Sequence, residues 1–86
     1  MIKVLGLGHI RTVIGKDGLT IKDSPKKIRD ILDLISSLDK SLDGGNYNLG
    51  NTLLMVNGVE SSALGGQDTV IYDGDEVVLI PVVHGG

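Results

Sequence analysis

The sequence predicts an α+β roll, in which a mixed sheet of four or five strands carries one main helix across one face. Two short segments of alternating apolar and polar residues come first, an amphipathic segment of helical period follows, and three further strand-like segments come after it. A helix placed between strands in this order must pack across one face of the sheet that they form. We expect one domain over residues 1–82, followed by a flexible tail over residues 83–86.

The first two predicted strands lie near the N-terminus and form an antiparallel pair. Residues 2–7 alternate, with apolar side chains on both faces, which is typical of a central strand. Asp17-Gly18 is a strong turn signal, and residues 19–22 alternate again. Residues 9–14 fit either a short turn of helix or an irregular crossing, and the sequence does not decide between them.

The main helix is predicted over residues 25–39. Ser24 is the expected N-cap and Pro25 the first helical residue, where its missing N–H does no harm. Apolar residues recur at helical spacing, and the residues between them are polar. The predicted buried face consists of Ile28, Ile31, Leu32, Ile35 and Leu38. The predicted solvent face consists of Arg29, Asp30, Asp33, Ser36 and Ser37.

The second half of the chain supplies the remaining strands. Residues 40–51 are rich in Gly, Asp and Asn and are predicted to form a loop. Residues 52–56 form a strand that Asn57-Gly58 turns back, and residues 76–82 form the last strand. Shorter features are a return strand at 59–60, a loop at 61–67, an extended piece at 69–71 and a turn at 73–75. The first and last strands are the most apolar, so we expect them side by side and parallel in the middle of the sheet.

Composition excludes several classes of function. The chain has no cysteine, which rules out disulfides and a cysteine-ligated zinc. Its net charge is −3 with scattered basic residues, so it has no electrostatic footprint for nucleic acid. No apolar run reaches the roughly 20 residues that span a bilayer, and the first ten residues do not resemble a signal peptide. We expect a cytoplasmic protein with neither a nucleic-acid nor a membrane partner.

No catalytic, cofactor or metal site of the chain's own is predicted. Residues 6–8 resemble the start of a dinucleotide loop, but Arg11 stands where a third glycine is needed. Residues 43–48 lack the spacing of a calcium loop. His9 and His84 have no neighbouring nucleophile or metal-ligand spacing in the sequence. We therefore expect no bound cofactor and no metal.

The C-terminal residues offer a different kind of chemistry. A strand leads almost directly into two glycines, and a carboxylate on Gly86 could be converted by an ATP-dependent partner into an acyl-adenylate that thiols or amines attack. Glycine at 85 and 86 leaves no Cβ to crowd a narrow active site. The residues predicted to deliver Gly86 to that site are Gly85, His84, Val83 and Pro81. The alternative is an inert chain end.

The sequence resembles the family of sulfur carriers and prokaryotic ubiquitin-like proteins, which includes the small subunit of molybdopterin synthase (MoaD), ThiS and the archaeal and ubiquitin-related modifiers. The resemblance rests on residues 1–5, 9–15, 56–58 and 73–77, on Pro81, and on the Gly85-Gly86 ending. Departures are Gly6, Leu7, Leu79 and Ile80 where relatives carry aromatic residues, Val82 in place of a second proline, and a long loop at 40–51. They leave the choice of partner open.

This resemblance implies a β-grasp (ubiquitin-like) fold and a sulfur carrier without enzymatic activity of its own. Gly86 would be adenylated by an E1-like enzyme of the MoeB or ThiF type, which consumes ATP, and then thiocarboxylated by a sulfur donor for molybdopterin, thiamine or tRNA thiolation. Its acceptor would be the large subunit of a synthase. The alternative is a protein modifier joined through Gly86 to target lysines, and one protein can serve in both roles. A third possibility is a non-catalytic β-grasp binding module.

The resemblance also suggests a partner-docking face. If Val77 and Leu79 face the helix, then Val78 and Ile80 face the other side of the sheet, where Leu5 and Leu7 would join them. Four aliphatic side chains on an open face are typical of a partner site. Dimerisation, or a cover formed by residues 9–14, are the alternatives.

Overall fold

Two helices and seven strands make up the computed structural model, which describes residues 1–42 and 44–82. The elements in order are β1 (Ile2–Gly6), α1 (Gly8–Ile14), β2 (Leu19–Ile21), β3 (Lys26–Lys27), α2 (Ile28–Leu38), β4 (Thr52–Val56), β5 (Val59–Glu60), β6 (Val70–Ile71) and β7 (Glu76–Pro81). Short 3₁₀ turns occupy Lys40–Leu42, Ser61–Ala63 and Gly66–Asp68. The tail predicted over residues 83–86 lies outside the described residues.

Five strands form a mixed sheet in the order β2-β1-β7-β4-β5. The first and last strands are parallel neighbours, with Lys3 opposite Glu76 and Gly6 opposite Leu79, as the sequence predicts. The other pairs in this sheet are antiparallel. The extended piece expected near residue 70 is β6, which pairs with β3 in a separate two-stranded sheet. The predicted α+β roll with a mixed sheet is confirmed.

The predicted start of the main helix is wrong. Ser24 is not the N-cap and Pro25 is not the first helical residue, because Lys26–Lys27 pair as a strand with Val70–Ile71 and α2 begins at Ile28. Two backbone donors at this helix start find acceptors. The Ile28 N–H donates to the Thr69 carbonyl at 3.0 Å, and the Lys27 N–H donates to Asp30 Oδ2 at 3.0 Å. A long-range strand pairing thus overrides the local capping signal.

Residues 8–14, whose conformation the sequence leaves open, form the short helix α1. Its buried residues are Ile10 and Ile14. Glycine at position 6 makes close packing on β1 possible: a Cβ there would lie only 2.6 Å from Cγ2 of Ile10 and 2.9 Å from its carbonyl carbon. The lack of a side chain at Gly6 therefore allows a helix to pack directly on the sheet surface.

The core between the sheet and the helices is almost entirely aliphatic. Ile28, Ile31, Leu32 and Ile35 of α2 are buried against the sheet as predicted. Leu38 was placed on the same face by its spacing but is 45% exposed, since the helix ends there and the backbone of Asp39 is extended. Tyr47, from the loop, joins the buried cluster instead. Within the described part of the chain, neither helix combines the length and apolar character that crossing a membrane requires.

Candidate docking face and tail exit

The strands of the large sheet alternate between a covered face and an open one. On β1 and β7, the side chains of Ile2, Val4, Val77 and Leu79 are fully buried under the helices. The residues between them point to the other side. Leu5, Val78 and Ile80 are half-buried there, and Leu7 at the end of β1 is 47% exposed. The structure thus brings the four predicted docking residues to one face.

Two further apolar residues lie on this open face, and the sequence argument missed both. In the antiparallel pair of β4 and β7, Leu53 is in register with Ile80, and Met55 is in register with Val78. Both are half-buried, whereas the alternate residues of β4 are buried. The same alternation rule, applied to residues 52–56, would have found them. The open face is defined from here on as Leu5, Leu7, Leu53, Met55, Val78 and Ile80.

Polar residues border this apolar surface. Lys3 of β1 is opposite Glu76 on one side and opposite Thr20 of β2 on the other, and all three are exposed. Glu60 of β5 lies in register with Met55. A continuous apolar surface with a polar rim is typical of a protein-binding site.

The last strand stays in the sheet up to the point where the tail begins. Pro81 is in register with Thr52, and the Val82 N–H donates to the Asn51 carbonyl at 3.0 Å. Backbone groups of a strand point alternately to its two neighbours, so Val82 faces β4 and Pro81 faces the β1 side. The register with β1 ends at Leu79, so no β1 residue there needs the N–H that proline lacks.

The predicted activation residues are only partly within the described structure. Pro81 is half-buried, and a Cβ on Gly8 would lie 3.1 Å from its Cγ, so the start of α1 lies against the end of β7. The other activation residues, Val83, His84, Gly85 and Gly86, lie outside the described residues.

A polar cluster joins the end of α2 to the loop that follows it and to α1. The carboxylate of Asp39 is buried, and its Oδ1 accepts hydrogen bonds from the Ser41 N–H at 2.9 Å and the Ser41 hydroxyl at 2.6 Å. Its Oδ2 accepts one from the Tyr47 hydroxyl. His9 Nε2 lies 3.1 Å from Asp39 Oδ2 and 3.2 Å from Ser41 Oγ. Sequence spacing gave no indication of this cluster, because His9 and Asp39 are 30 residues apart.

These hydrogen bonds set the protonation of the two acidic groups. Donation from Ser41, then from Tyr47, lowers the pKa of Asp39 to about 2, with a smaller contribution from His9. Burial, together with the neighbouring Asp39 carboxylate, raises the pKa of the Tyr47 hydroxyl. The cluster therefore contains an ionised carboxylate and a neutral phenol at neutral pH.

This cluster is not a nucleophilic triad. Both polar contacts of His9 are made by the same ring nitrogen, Nε2. In a Ser-His-Asp relay the acid binds one ring nitrogen and the hydroxyl the other. Among the described residues there is also no group of three His, Asp or Glu side chains that could hold a metal ion.

The acidic turn before β7 is structural, as predicted. Asp75 accepts hydrogen bonds from the Tyr72 N–H at 2.8 Å and from Asn57 Nδ2 at 2.9 Å. The first of these bonds is the main cause that lowers the pKa of Asp75. Asn57 has a positive φ of 50° in the turn after β4 and also accepts a bond from the Glu76 N–H. The two turns therefore hold each other at the end of the sheet that is remote from Val82.

Comparison with known protein families gives a match over almost the whole chain. The sequence model of the ThiS family matches residues 4–86, which includes the second half of β1, all later elements up to β7 and the two terminal glycines. A search of curated protein sequences gave no significant match.

Several solved structures share the fold over their full length. The small archaeal modifier protein 1 (SAMP1) from Methanosarcina acetivorans has 25% identity and a TM-score of 0.76, covering 99% of this chain and 95% of that one. Urm1 from Trypanosoma brucei has 23% identity and a TM-score of 0.72, covering 99% and 94%. A chain of the BexX/CysO complex from Amycolatopsis orientalis has 20% identity and a TM-score of 0.68, with both chains fully covered. The last two, at lower identity, establish the β-grasp fold alone.

Proposed function

Because the chain belongs to the ThiS family, a family of sulfur carriers and ubiquitin-like modifiers, we propose that it carries sulfur as a thiocarboxylate on Gly86. The observation that carries this proposal is the family match itself, which runs from β1 through to Gly86.

The proposed chemistry needs two partners. An E1-like adenylating enzyme supplies ATP, and an oxygen of the Gly86 carboxylate attacks the α-phosphorus, so that pyrophosphate leaves and an acyl-adenylate forms. The terminal sulfur of a persulfide on a donor protein then attacks the carbonyl carbon and displaces AMP, which gives an acyl disulfide. A thiol of the donor or of the adenylating enzyme attacks the donor-side sulfur of this link, so that the S–S bond breaks, the Gly86 thiocarboxylate leaves and a new disulfide forms on the partner. The chain supplies the carboxylate and its delivery, while the partners supply the nucleotide and the sulfur. It needs no bound cofactor or metal for this role.

The open face is the proposed surface for the adenylating enzyme or a synthase subunit. Five apolar side chains lie there on three adjacent strands, and Leu7 directly follows β1. Strand β7, which carries two of them, leads to Pro81 and the tail. A partner bound to this face would therefore meet the tail at a defined end of the sheet. The polar rim from Lys3 to Glu60 would set the orientation of the complex.

Mass spectrometry of the protein from its native cells tests the role of Gly86. If the protein is a sulfur carrier, the expected product is a chain in which sulfur replaces one carboxylate oxygen of Gly86. A lysine of another protein bearing this chain through an isopeptide bond is the expected product of a modifier, which is the second candidate function. The similarity to SAMP1, a small archaeal modifier protein, at 25% identity supports this second function. If neither product forms under sulfur demand and stress, and deletion of Gly86 has no effect in the cell, both roles are wrong.

The substitution Leu7→Asp tests the docking face. Leu7 is half-exposed, so we expect the variant to fold with a free energy of unfolding within about 0.5 kcal/mol of the wild type. Its adenylation should show a KM raised by at least about tenfold, because a charge would be buried against the partner. Leu64→Asp is the matched control, because Leu64 is also 47% exposed but lies outside the open face. An unchanged KM for a folded Leu7→Asp variant would contradict the docking proposal.

A further inference from the structure

We infer that the cluster around Tyr47 is a positioning device, which fixes the end of β7 and hence the start of the tail. We call this cluster the Tyr47 clasp: His9, Ser36, Asp39, Ser41 and Tyr47. Its contacts form a continuous path from the end of α2 to the Val82 N–H. That the clasp fixes the end of β7 follows from these contacts alone. That it affects the reaction at Gly86 rests on the proposed function.

The first step of the path fixes Tyr47 itself. The Tyr47 N–H donates to Ser36 Oγ at 2.8 Å, and the Ser36 hydroxyl donates to the Leu32 carbonyl at 2.7 Å. The Tyr47 hydroxyl donates to the buried Asp39 carboxylate. Tyr47 is only 8% exposed. Both its backbone and its side chain are therefore held against the last turn of α2, although it lies within a loop.

The second step leads from Tyr47 to Asn51. The side chain of Asn51 donates from Nδ2 to the Asn46 carbonyl at 3.0 Å, and its Oδ1 accepts from the Asn48 N–H at 2.9 Å. Asn46 and Asn48 are the two chain neighbours of Tyr47. Asn51 thus holds the backbone on both sides of Tyr47. Its Oδ1 also accepts from the Thr52 hydroxyl at 2.8 Å, so the loop and the start of β4 form one unit.

The third step connects this unit to the tail. The Asn51 carbonyl accepts the hydrogen bond from the Val82 N–H, at 3.0 Å. Val82 comes directly after β7 and is the last described residue, and the register of β7 with β1 has already ended at Leu79. Its bond to Asn51 continues the β4 side of the ladder beyond Pro81. The position of the loop therefore sets where the chain leaves the sheet.

The helix α1 connects the other side of the strand end to the same clasp. His9 contacts Asp39 and Ser41, and the preceding residue, Gly8, lies against Pro81. Pro81 and Val82 are thus bordered by two segments, α1 and the loop, which meet at the Asp39 carboxylate. This arrangement holds the strand end from both sides.

Such positioning matters for a reaction at the end of a short tail. Transfer to a nucleotide requires the reacting carboxylate to be held in a narrow range of positions, and loss of that geometry slows the chemical step. We expect the open face to set the affinity for the activating enzyme, and the Tyr47 clasp to set the rate within the complex. Substitutions on the open face would then change mainly KM, and substitutions in the Tyr47 clasp would change mainly kcat.

Amide hydrogen exchange tests the structural part. Tyr47→Phe keeps the buried ring and removes one hydroxyl, and Tyr72→Phe is the matched control, because Tyr72 is 60% exposed and lies outside the clasp. Loss of a hydrogen bond to a charged acceptor should raise the exchange rate of the Val82 amide by about tenfold relative to that of Val78. Val78 lies in the same strand, in register with Met55, so it reports any general loss of stability. An unchanged ratio of the two rates in Tyr47→Phe would overturn the inference.

Asn51→Ala provides a second variant with a larger expected effect. It removes three side-chain hydrogen bonds of the loop while leaving the backbone carbonyl that Val82 uses. We expect the Val82-to-Val78 ratio to rise more than in Tyr47→Phe. A rise in the rates of both amides by the same factor would show general destabilisation and would contradict the positioning role.

Adenylation kinetics test the functional part, with pyrophosphate exchange as the assay and the cognate adenylating enzyme as the partner. Tyr47→Phe should lower kcat by at least about threefold with KM unchanged, whereas a raised KM with unchanged kcat would contradict the division of roles. If the wild-type chain supports no exchange, the proposed function of Gly86 is wrong. Even in that case, the ratio of the amide exchange rates of Val82 and Val78 shows whether the clasp positions the end of the strand.

Discussion

The two faces of the large sheet carry similar aliphatic residues and differ in what covers them. On the covered face, Val77 and Leu79 are fully buried beneath the helices. On the open face, their chain neighbours Val78 and Ile80 are half-buried, and they lie in register with Met55 and Leu53 of β4. Because neighbouring residues of one strand differ in this way, residue type alone does not show whether an aliphatic side chain of this sheet lies on the covered face or on the open face.

The comparison shows why an 86-residue chain can leave apolar surface open. The covered face and the two helices supply a contiguous cluster of buried aliphatic residues, which is where most of the favourable free energy of folding arises. The open face adds little to that cluster, so folding stability places few constraints on which residues lie there. We expect substitutions on the covered face to lower the free energy of unfolding more than substitutions on the open face.

The largest expected effect comes from truncation in the centre of the covered face. Leu79→Ala should lower the free energy of unfolding by about 2–5 kcal/mol, because it removes a fully buried side chain and leaves a cavity. Ile80→Ala is the matched control on the open face, one residue along the same strand, and should cost clearly less. Urea denaturation of both variants measures the difference. Equal losses would show that the open face is part of the core.

A smaller effect is expected from adding a methyl group beneath α1. Gly6→Ala should destabilise the protein by about 1–3 kcal/mol, because the new Cβ would overlap Ile10. Leu7→Ala, the next residue and on the open face, should cost less although it removes three carbon atoms. Thermal unfolding followed by circular dichroism compares them. A Gly6→Ala variant as stable as the wild type would mean that α1 does not pack on β1 as described.

The smallest expected effect is a loss of folding stability at low pH, which arises from the buried Asp39 on the covered side of the sheet. The pKa of Asp39 is lowered to about 2 in the folded protein, so its contribution to stability is fully present above the ordinary pKa of an aspartate. That contribution is lost as the pH falls from about 4 through 2. The pKa of Asp75 is also lowered, which adds a loss of the same sign.

Asp39→Asn tests this dependence. In the variant, the decrease in unfolding free energy from pH 5 to pH 2 should be shallower than in the wild type, with Asp75 accounting for part of what remains. Unfolding by urea at several pH values gives both slopes. Identical slopes would show that the Asp39 carboxylate is not held by Ser41 and Tyr47.

Most of the fold could be predicted from the sequence because the strand periodicity and the turn residues are local features. The apolar character of the first and last strands predicts the parallel central pair, and the alternation in residues 76–82 predicts the direction in which Val78 and Ile80 point. The start of α2 could not be predicted, because Lys26–Lys27 follow a pairing with Val70–Ile71 that is distant in sequence.

The candidate site divides in the same way. The open face follows from alternation, and Leu53 and Met55 were missed only because the rule was not applied to their strand. The Tyr47 clasp could not be found in this way, since it joins His9, Asp39 and Tyr47 from three separate elements through polar contacts without a repeating spacing. The role of Gly86 stays a prediction, because it lies outside the described residues.

The parallel pairing of β1 with β7 has a consequence for the synthesis of this protein. β7 lies between β1 and β4, and its first residue in register, Glu76, pairs with Lys3. A nascent chain that stops before residue 76 lacks the strand between those two neighbours and cannot complete the sheet. Folding on the ribosome must therefore wait until β7 has emerged, since domains generally fold as units. Truncated products would then lack Val78 and Ile80, the two residues that β7 contributes to the open face.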